Sequence, residues 1–489
     1  MPSWKALVVP VVIFGCVAVA QDSKDRERVF AEALKPSSIA SNLEKLTDQV
    51  GGRVPGTPAM QNAVDWGIAA FRAAGADSVH TETFSIPASW SEGETRLSVT
   101  VPEQFVTRVV SVGWAPALES HQHVPIIDIG RGSEQDFASA GAIGGAILVV
   151  HQDEMRKWAD LDAEYDNAPG VIRRAVKAKA LAVAFQSTRP HDLLYRHTDT
   201  VTGEIEALPM VMMAREDAAR IARLQKAGQK LFADISIPNR IGGPIEAANV
   251  VAELKGAEKP EEFVVLGAHL DSWDLGTGAL DNGCNAALVV DALRAIKDSG
   301  AHLRRSIRFI LFSGEEEGLL GSWAYARDHR QELDHAIAAV IFDDGNGRVT
   351  GFSLSGRKDL VPAVAHLIAP LKRYEVEQIT NDASADTDNY DFFLEGVPTL
   401  VGNQEEANYL INYHAMSDTF DKVDIHELKK HVAIAADVTY ALASAPGRLG
   451  PRQSRAQVEK LLRETHLDES LKATGGWADW ESGKRGRAQ

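Results

Sequence analysis

The chain has 489 residues and carries 51 Lys plus Arg against 68 Asp plus Glu, a net charge of −17. A balance this acidic excludes any broad electrostatic attraction for nucleic acid or anionic lipid. Its 45% hydrophobic content excludes a disordered protein, its length calls for more than one domain, and no apolar run reaches the roughly 20 residues that span a bilayer.

Residues 1–20 read as a secretory signal peptide. Lys5 precedes the apolar stretch Ala6 to Ala20, and Ala18-Val19-Ala20 has the small-x-small form of a cleavage site. One alternative is a buried first element. Another is a lipoprotein acylated at Cys16, a pattern that Phe14 fits poorly. With Cys16 removed, Cys284 stands alone, so the mature chain is expected to form no internal disulfide. Residues 22–36 are charged and read as a frayed lead-in. The spacing of Ile39, Leu43, Leu46 and Val50 predicts a helix stopped by Gly51-Gly52. A second helix follows Pro58, with Met60, Val64, Ile68 and Phe71 on one face. Residues 78–112 read as short strands, so that 37–112 form the N-terminal part of a main domain.

From 113 to 241, strand-like runs at 124–129, 146–150, 180–185 and 208–213 alternate with short helices. They predict a separate small α/β domain. It contains no candidate ligand and is expected to shape substrate access rather than chemistry. Gly242-Gly243-Pro244 marks its exit. From 242 to 445 the alternation is regular, with strands at 263–266, 307–312 and 337–342 and helices at 284–296, 319–327 and 360–371. Apolar strands alternating with helices imply a largely parallel sheet covered on both faces, with ligands beyond the strands' carboxyl ends. Residues 446–489 form a polar extension with one amphipathic helix marked by Val458, Leu461 and Leu462. It receives no role.

The chemistry gathers where these strands end. His269 and Asp271 follow one strand, Glu315 and Glu316 another, and Asp343 a third. Asp281 precedes a helix, and His414 stands in a loop before Asp418. Taken singly, each has an ordinary explanation; the run Glu315-Glu316-Glu317, for example, reads as a solvated helix start. Their coincidence at one end of one sheet raises them together. Imidazole plus carboxylate without thiolate suits zinc in a site with open positions. Two histidines and several carboxylates exceed the needs of one ion and suit two that share a carboxylate. Asp271, two residues after His269, is well placed to orient that imidazole.

The run from His269 to Asp281, HLDSWDLGTGALD, resembles the metal-binding signature of the carboxypeptidase Q branch of the co-catalytic di-zinc exopeptidases. That family includes secreted bacterial leucyl aminopeptidases. The resemblance continues through GEEEGLLGS at 314–322, FDDG at 342–345, Thr387-Asp388, GVP at 396–398 and HAMSDT at 414–419, and covers roughly 37–445. It implies an α/β, three-layer zinc-exopeptidase fold with a largely parallel mixed central sheet. Residues 113–241 would be a protease-associated-type insert. It further implies two Zn2+ per chain, one held by His269 and Asp343, the other by Glu316 and His414, with Asp281 bridging. Glu315 would be the general base, and Asp271 would orient His269. Asp388, Asn389 and Tyr390 are expected on the substrate rim, and a homodimer is implied. The sequence departs from the family pattern at Cys284, where a smaller residue is usual, and in the loop Ala415-Met416-Ser417. The implied activity is hydrolysis of short peptides, dipeptides foremost. The rivals are an aminopeptidase acting on longer peptides and a non-catalytic binding domain, against which the presence of Glu315 argues.

Overall fold

A computed structural model describes residues 23–488; the signal-peptide reading of 1–20 and the acylation alternative at Cys16 lie outside them. Two eight-stranded sheets organise the chain. In the first, the strands run in the order Ser78–Ile86, Ile245–Leu254, Arg305–Phe312, Lys259–His269, Ala336–Ile341, Thr399–Gln404, Val349–Ser353 and Gln378–Thr380. Its four central strands are parallel, and the outer pairings are antiparallel except the last.

Central strands of this kind must be apolar on both faces. Ala336–Ile341 is buried along its whole length, and Lys259–His269 from Phe263 onward. The helices Cys284–Ser299 and Ile425–Ser444 pack on each other and on one face. Twelve of the sixteen side chains of Cys284–Ser299 are buried, Asn285 and Asp291 among them, so this helix is covered on nearly all sides up to Ile296. Helix Leu320–Asp328 and helix Asn389–Leu394 lie on the other side, around Phe312, Tyr325 and Phe392.

The second sheet runs Phe105–Thr107, Arg96–Val101, Leu231–Ile237, Leu118–Asp128, Ile147–Val150, Ala182–Gln186, Met210–Met213 and Val109–Ser111. It carries a core on each face. The strand-like segments between 96 and 111, read from the sequence with the N-terminal part, pair into this sheet instead. Leu97 and Val99 face its core against Leu231–Ile237, which lies more than a hundred residues away. Alternation alone does not specify which sheet a strand joins.

Residues 23–33 are not frayed. They form a helix whose Val29, Phe30 and Ala33 are buried in the main core. Arg26 donates from Nε to Asp437 at 3.0 Å and from Nη2 to the Leu367 carbonyl at 2.9 Å. The apolar stripe spans little more than one turn, from Val29 to Ala33, so the charged residues before it hide the helix. The C-terminal extension is equally ordered. Helices Arg455–Glu464, Leu467–Thr474 and Gly476–Ser482 bury Val458, Leu461, Leu462 and Trp480 against Tyr390, Phe393 and Leu394. Arg485 closes this contact with two 2.8 Å bonds to Asp391. Among the described residues, no helix is long and apolar enough to cross a membrane.

Candidate metal centre and active site

The carboxyl ends of the central strands deliver most of the chemistry. His269 is the last residue of Lys259–His269, and Asp343 follows the neighbouring strand by two residues. Both are buried. His269 Nδ1 lies 3.1 Å from the Asp271 carbonyl oxygen, to which it can only donate, and 3.7 Å from the Asp271 carboxylate. The proton is thereby fixed on Nδ1, and in the neutral ring Nε2 keeps its lone pair. That Nε2 lies 3.2 Å from Asp281 Oδ1 and 3.0 Å from Asp343 Oδ1. The other oxygen of Asp271 accepts from the Glu316 backbone N–H at 3.2 Å, so one carboxylate links two strand-end loops.

Asp281 sits in the turn Ala279–Gly283 that leads into helix Cys284–Ser299. The carboxylate of Asp418 shapes this turn by accepting from Leu280 N–H at 2.7 Å and Asp281 N–H at 3.1 Å. Fully buried Arg53 holds the same region from the other side. It donates to the carbonyls of Leu270 (2.6 Å), Thr277 (2.7 Å) and Gly278 (2.8 Å). Neither Arg53 nor the capping role of Asp418 was read from the sequence. An arginine that serves only backbone carbonyls leaves no partner residue to signal it.

Glu315, Glu316 and Glu317 occupy a turn before helix Leu320–Asp328, not a helix start. The turn closes through Gly318 N–H to the Glu315 carbonyl at 2.9 Å. Gly318 has φ +115°, and a Cβ there would meet the Val201 carbonyl oxygen of the second sheet's loop at 2.2 Å. Only glycine permits that approach. Glu316 Oε2 lies 2.9 Å from His414 Nε2, which in turn lies 3.2 Å from Asp281 Oδ2. Glu315 Oε2 stands 4.0 Å from His269 Nε2. Glu317 is fully buried, and neither of its oxygens meets a donor.

The result is two groups of potential ligands, His269–Asp281–Asp343 and Asp281–Glu316–His414, that share Asp281. Whether they suit a metal can be judged from their unfilled valences. Asp281 Oδ2, Glu316 Oε1 and Asp343 Oδ1 are buried and accept no well-directed hydrogen bond. Such groups are costly unless a cation or donor meets them. The electrostatics agree. Burial would lower His414, yet the charges of Glu316 and Asp281 lift it to about 9. Burial pushes Asp281 up, and the two imidazoles hold it below the usual carboxylate range. Burial raises Glu315 well above that range, partly opposed by His269 and reinforced by Asp343 and Glu316. A cage this rich in carboxylate asks for positive charge, and its nitrogen and oxygen donors suit a borderline divalent ion. Cys284 stays outside it; its thiol faces the carbonyls of Leu280 and Gly345 at 3.4 and 3.5 Å.

The expected rim residues divide. Asp388 is fully buried with both oxygens unpartnered, and burial lifts it to about 7 against the pull of His269. Asn389 and Tyr390 are not brought to the site. Asn389 donates to Ser355 Oγ at 3.1 Å inside the domain. Tyr390 is 2% exposed and packs among Phe393, Leu394 and Trp480. Helix Asn389–Leu394 turns these side chains inward, a rotation that no local signal specifies.

His414 itself has φ +56°. A left-handed conformation costs a non-glycine residue roughly 1–2 kcal/mol, so its surroundings must fix it. Tyr413 stacks on the imidazole at 3.6 Å between centroids, and Trp273 meets it edge-on at 6.1 Å.

Comparison with known families adds a second line of observation. Residues 249–439 match the model of Peptidase family M28. This segment is an M28 peptidase domain. It holds all five candidate ligands together with Glu315. Beyond the M28 segment, similarity extends over most of the chain. Carboxypeptidase Q of Rattus norvegicus is 24% identical over 403 residues, 82% of this chain and 84% of that protein. Aminopeptidase YwaD of Bacillus subtilis is 26% identical over 330 residues, 67% of this chain and 64% of that one. A peptidase M28 precursor from Shewanella amazonensis superposes with a TM-score of 0.79 at 27% identity, covering 88% of this chain and 99% of that one. The zinc aminopeptidase BSAP from Bacillus subtilis shares the fold, with a TM-score of 0.65 at 19% identity over 85% of this chain and 97% of that one.

Proposed function

We propose that the protein is an exported, zinc-dependent M28 exopeptidase that hydrolyses short peptides, dipeptides foremost. The observation that carries this reading is the sharing of Asp281 between two ligand groups, with Glu315 4.0 Å from His269 Nε2. In it, His269, Asp281 and Asp343 hold one zinc, and Asp281, Glu316 and His414 a second. The zinc pair supplies Lewis acidity toward the scissile carbonyl and toward water. Asp271 keeps the His269 proton on Nδ1. Glu315 takes the proton of the attacking water and returns it to the leaving amine. Its raised affinity for a proton suits that exchange. The aligned relatives, named a carboxypeptidase and an aminopeptidase, support exopeptidase action.

A second reading, an aminopeptidase on longer peptides, draws support from charge. Asp344 and Asp388, both lifted to about 7 by burial, add carboxyl groups beside Asp343. The neighbouring Arg53 is engaged by backbone carbonyls. Such surroundings attract a free α-amino group more than a free α-carboxylate. Turnover of one dipeptide in free, N-blocked and C-blocked forms separates the two. Loss on N-blocking alone marks an aminopeptidase, and loss on either marks a dipeptidase. Undiminished turnover of a doubly blocked peptide excludes exopeptidase action.

A further inference from the structure

The loop that carries His414 is held by the second sheet, through a segment far outside the M28 domain. Tyr195 and Ala415 form a β-bridge. Around it, Arg196 N–H donates to the His414 carbonyl at 3.0 Å, and Met416 N–H to the Leu194 carbonyl at 3.0 Å. Arg189, fully buried, donates from Nη2 to the Tyr413 carbonyl at 3.1 Å. The backbone is therefore gripped immediately before His414, at it and two residues after it.

The grip has its own buried foundation. Glu164, on helix Trp158–Lys177, accepts from Thr188 Oγ1 at 3.1 Å and from the Tyr195 hydroxyl. The Arg189 guanidinium lies 3.6 Å from Glu164 and 3.7 Å from the centre of the Tyr195 ring. One turn of the same helix brings Tyr165 OH within 3.3 Å of Tyr413 OH. A buried ion pair of this kind adds little net stability but fixes a geometry. What it fixes here is a left-handed histidine backbone that the loop's own sequence does not favour.

We propose that the Arg189–Glu164 pair of the second sheet is a positioning device for His414. Through it, that sheet sets the metal affinity of the Asp281–Glu316–His414 group and leaves the His269–Asp281–Asp343 group alone. The inference rests on the metallopeptidase reading above and departs from the expectation that this region acts only on substrate access.

The test is Arg189→Met in the full-length mature protein, stripped of metal and titrated with Zn2+ against a chromophoric chelator. Circular dichroism reports folding. The expected result is two binding steps, one at the wild-type affinity and one weakened about 10–100-fold, the range for partners that orient a ligand. Saturating Zn2+ then restores kcat, whereas a residue acting on access would shift KM at every Zn2+ concentration. If Arg189→Met does not fold, Arg189→Lys takes its place with the same outcomes, since it keeps the charge against Glu164 and withdraws the second nitrogen from Tyr413. Two unaltered affinities in a folded variant overturn the inference alone. A wild-type protein that binds no Zn2+ overturns the functional reading and the inference together.

Discussion

The two halves of the candidate centre share Asp281 but are supported differently. His269 ends a strand with parallel neighbours on both sides, and Asp343 follows one of those neighbours. Their positions are consequences of a hydrogen-bond ladder, and Tyr409 adds only a 3.3 Å bond to the Asp343 carbonyl. His414 has no ladder. It occupies a short loop in a left-handed conformation, pinned by Arg189, 224 residues before Tyr413 in the chain, and by Arg196. One half rests on the ladder of the first sheet, and the other is held in addition by a loop of the second.

The largest effect belongs to the proposed general base, which stands beside the sheet-built half. Glu315→Gln keeps shape and removes basicity, so kcat should fall by roughly 10²–10⁴-fold while metal content is unchanged. Steady-state kinetics with metal analysis checks this, and near-normal turnover removes the proposed mechanism. A paired substitution sharpens the contrast itself. Glu316→Gln should cost the protein one metal equivalent, recovered in part by added zinc. Asp343→Asn should cost the other. Equal loss of both metals in either variant would mean that the halves are not separable.

This contrast also accounts for what could be read in advance. The clustering of candidate ligands at strand ends was legible because apolar strands of regular spacing predict where a parallel sheet ends, and those ends are where His269, Glu316 and Asp343 fall. The resemblance then joined His414 to them. The support of His414 was not legible, because Tyr195 and Ala415 are joined by a single bridge between two irregular segments. The helix 23–33 was missed because its apolar stripe is short and follows a charged run. The strands between 96 and 111 were grouped with the N-terminal part of the main domain, although they pair into the second sheet, because alternation gives a face and not a partner. Asn389 and Tyr390 were placed on the rim because a motif adjacent to Asp388 carries no information about helix rotation.

A smaller effect separates support of the Asp281 turn from chemistry. Arg53→Met leaves the carbonyls of Leu270, Thr277 and Gly278 without their buried donor. Charged hydrogen bonds of this kind contribute about 2–3 kcal/mol when lost. Urea unfolding should show that decrease, with kcat near normal once zinc is saturating. A kcat that stays low in saturating zinc would place Arg53 in the chemistry rather than beneath it.

The smallest effect is expected at Tyr390, on the helix that packs beside the sheet-built half. Its ring lies among Phe393, Leu394 and Trp480, and its hydroxyl is buried with no hydrogen-bond partner. Burial pushes that hydroxyl's pKa further up, so it stays protonated across the working range of any peptidase. Removing a buried group that bonds to nothing is neutral or mildly stabilising. Tyr390→Phe should therefore change stability by no more than about 0.5–1 kcal/mol, in the direction of higher Tm, and leave KM unaltered. Thermal unfolding and KM for a free dipeptide measure the two together. A rise in KM without loss of stability would return Tyr390 to the substrate rim, where its hydroxyl would have to find its partner on the peptide.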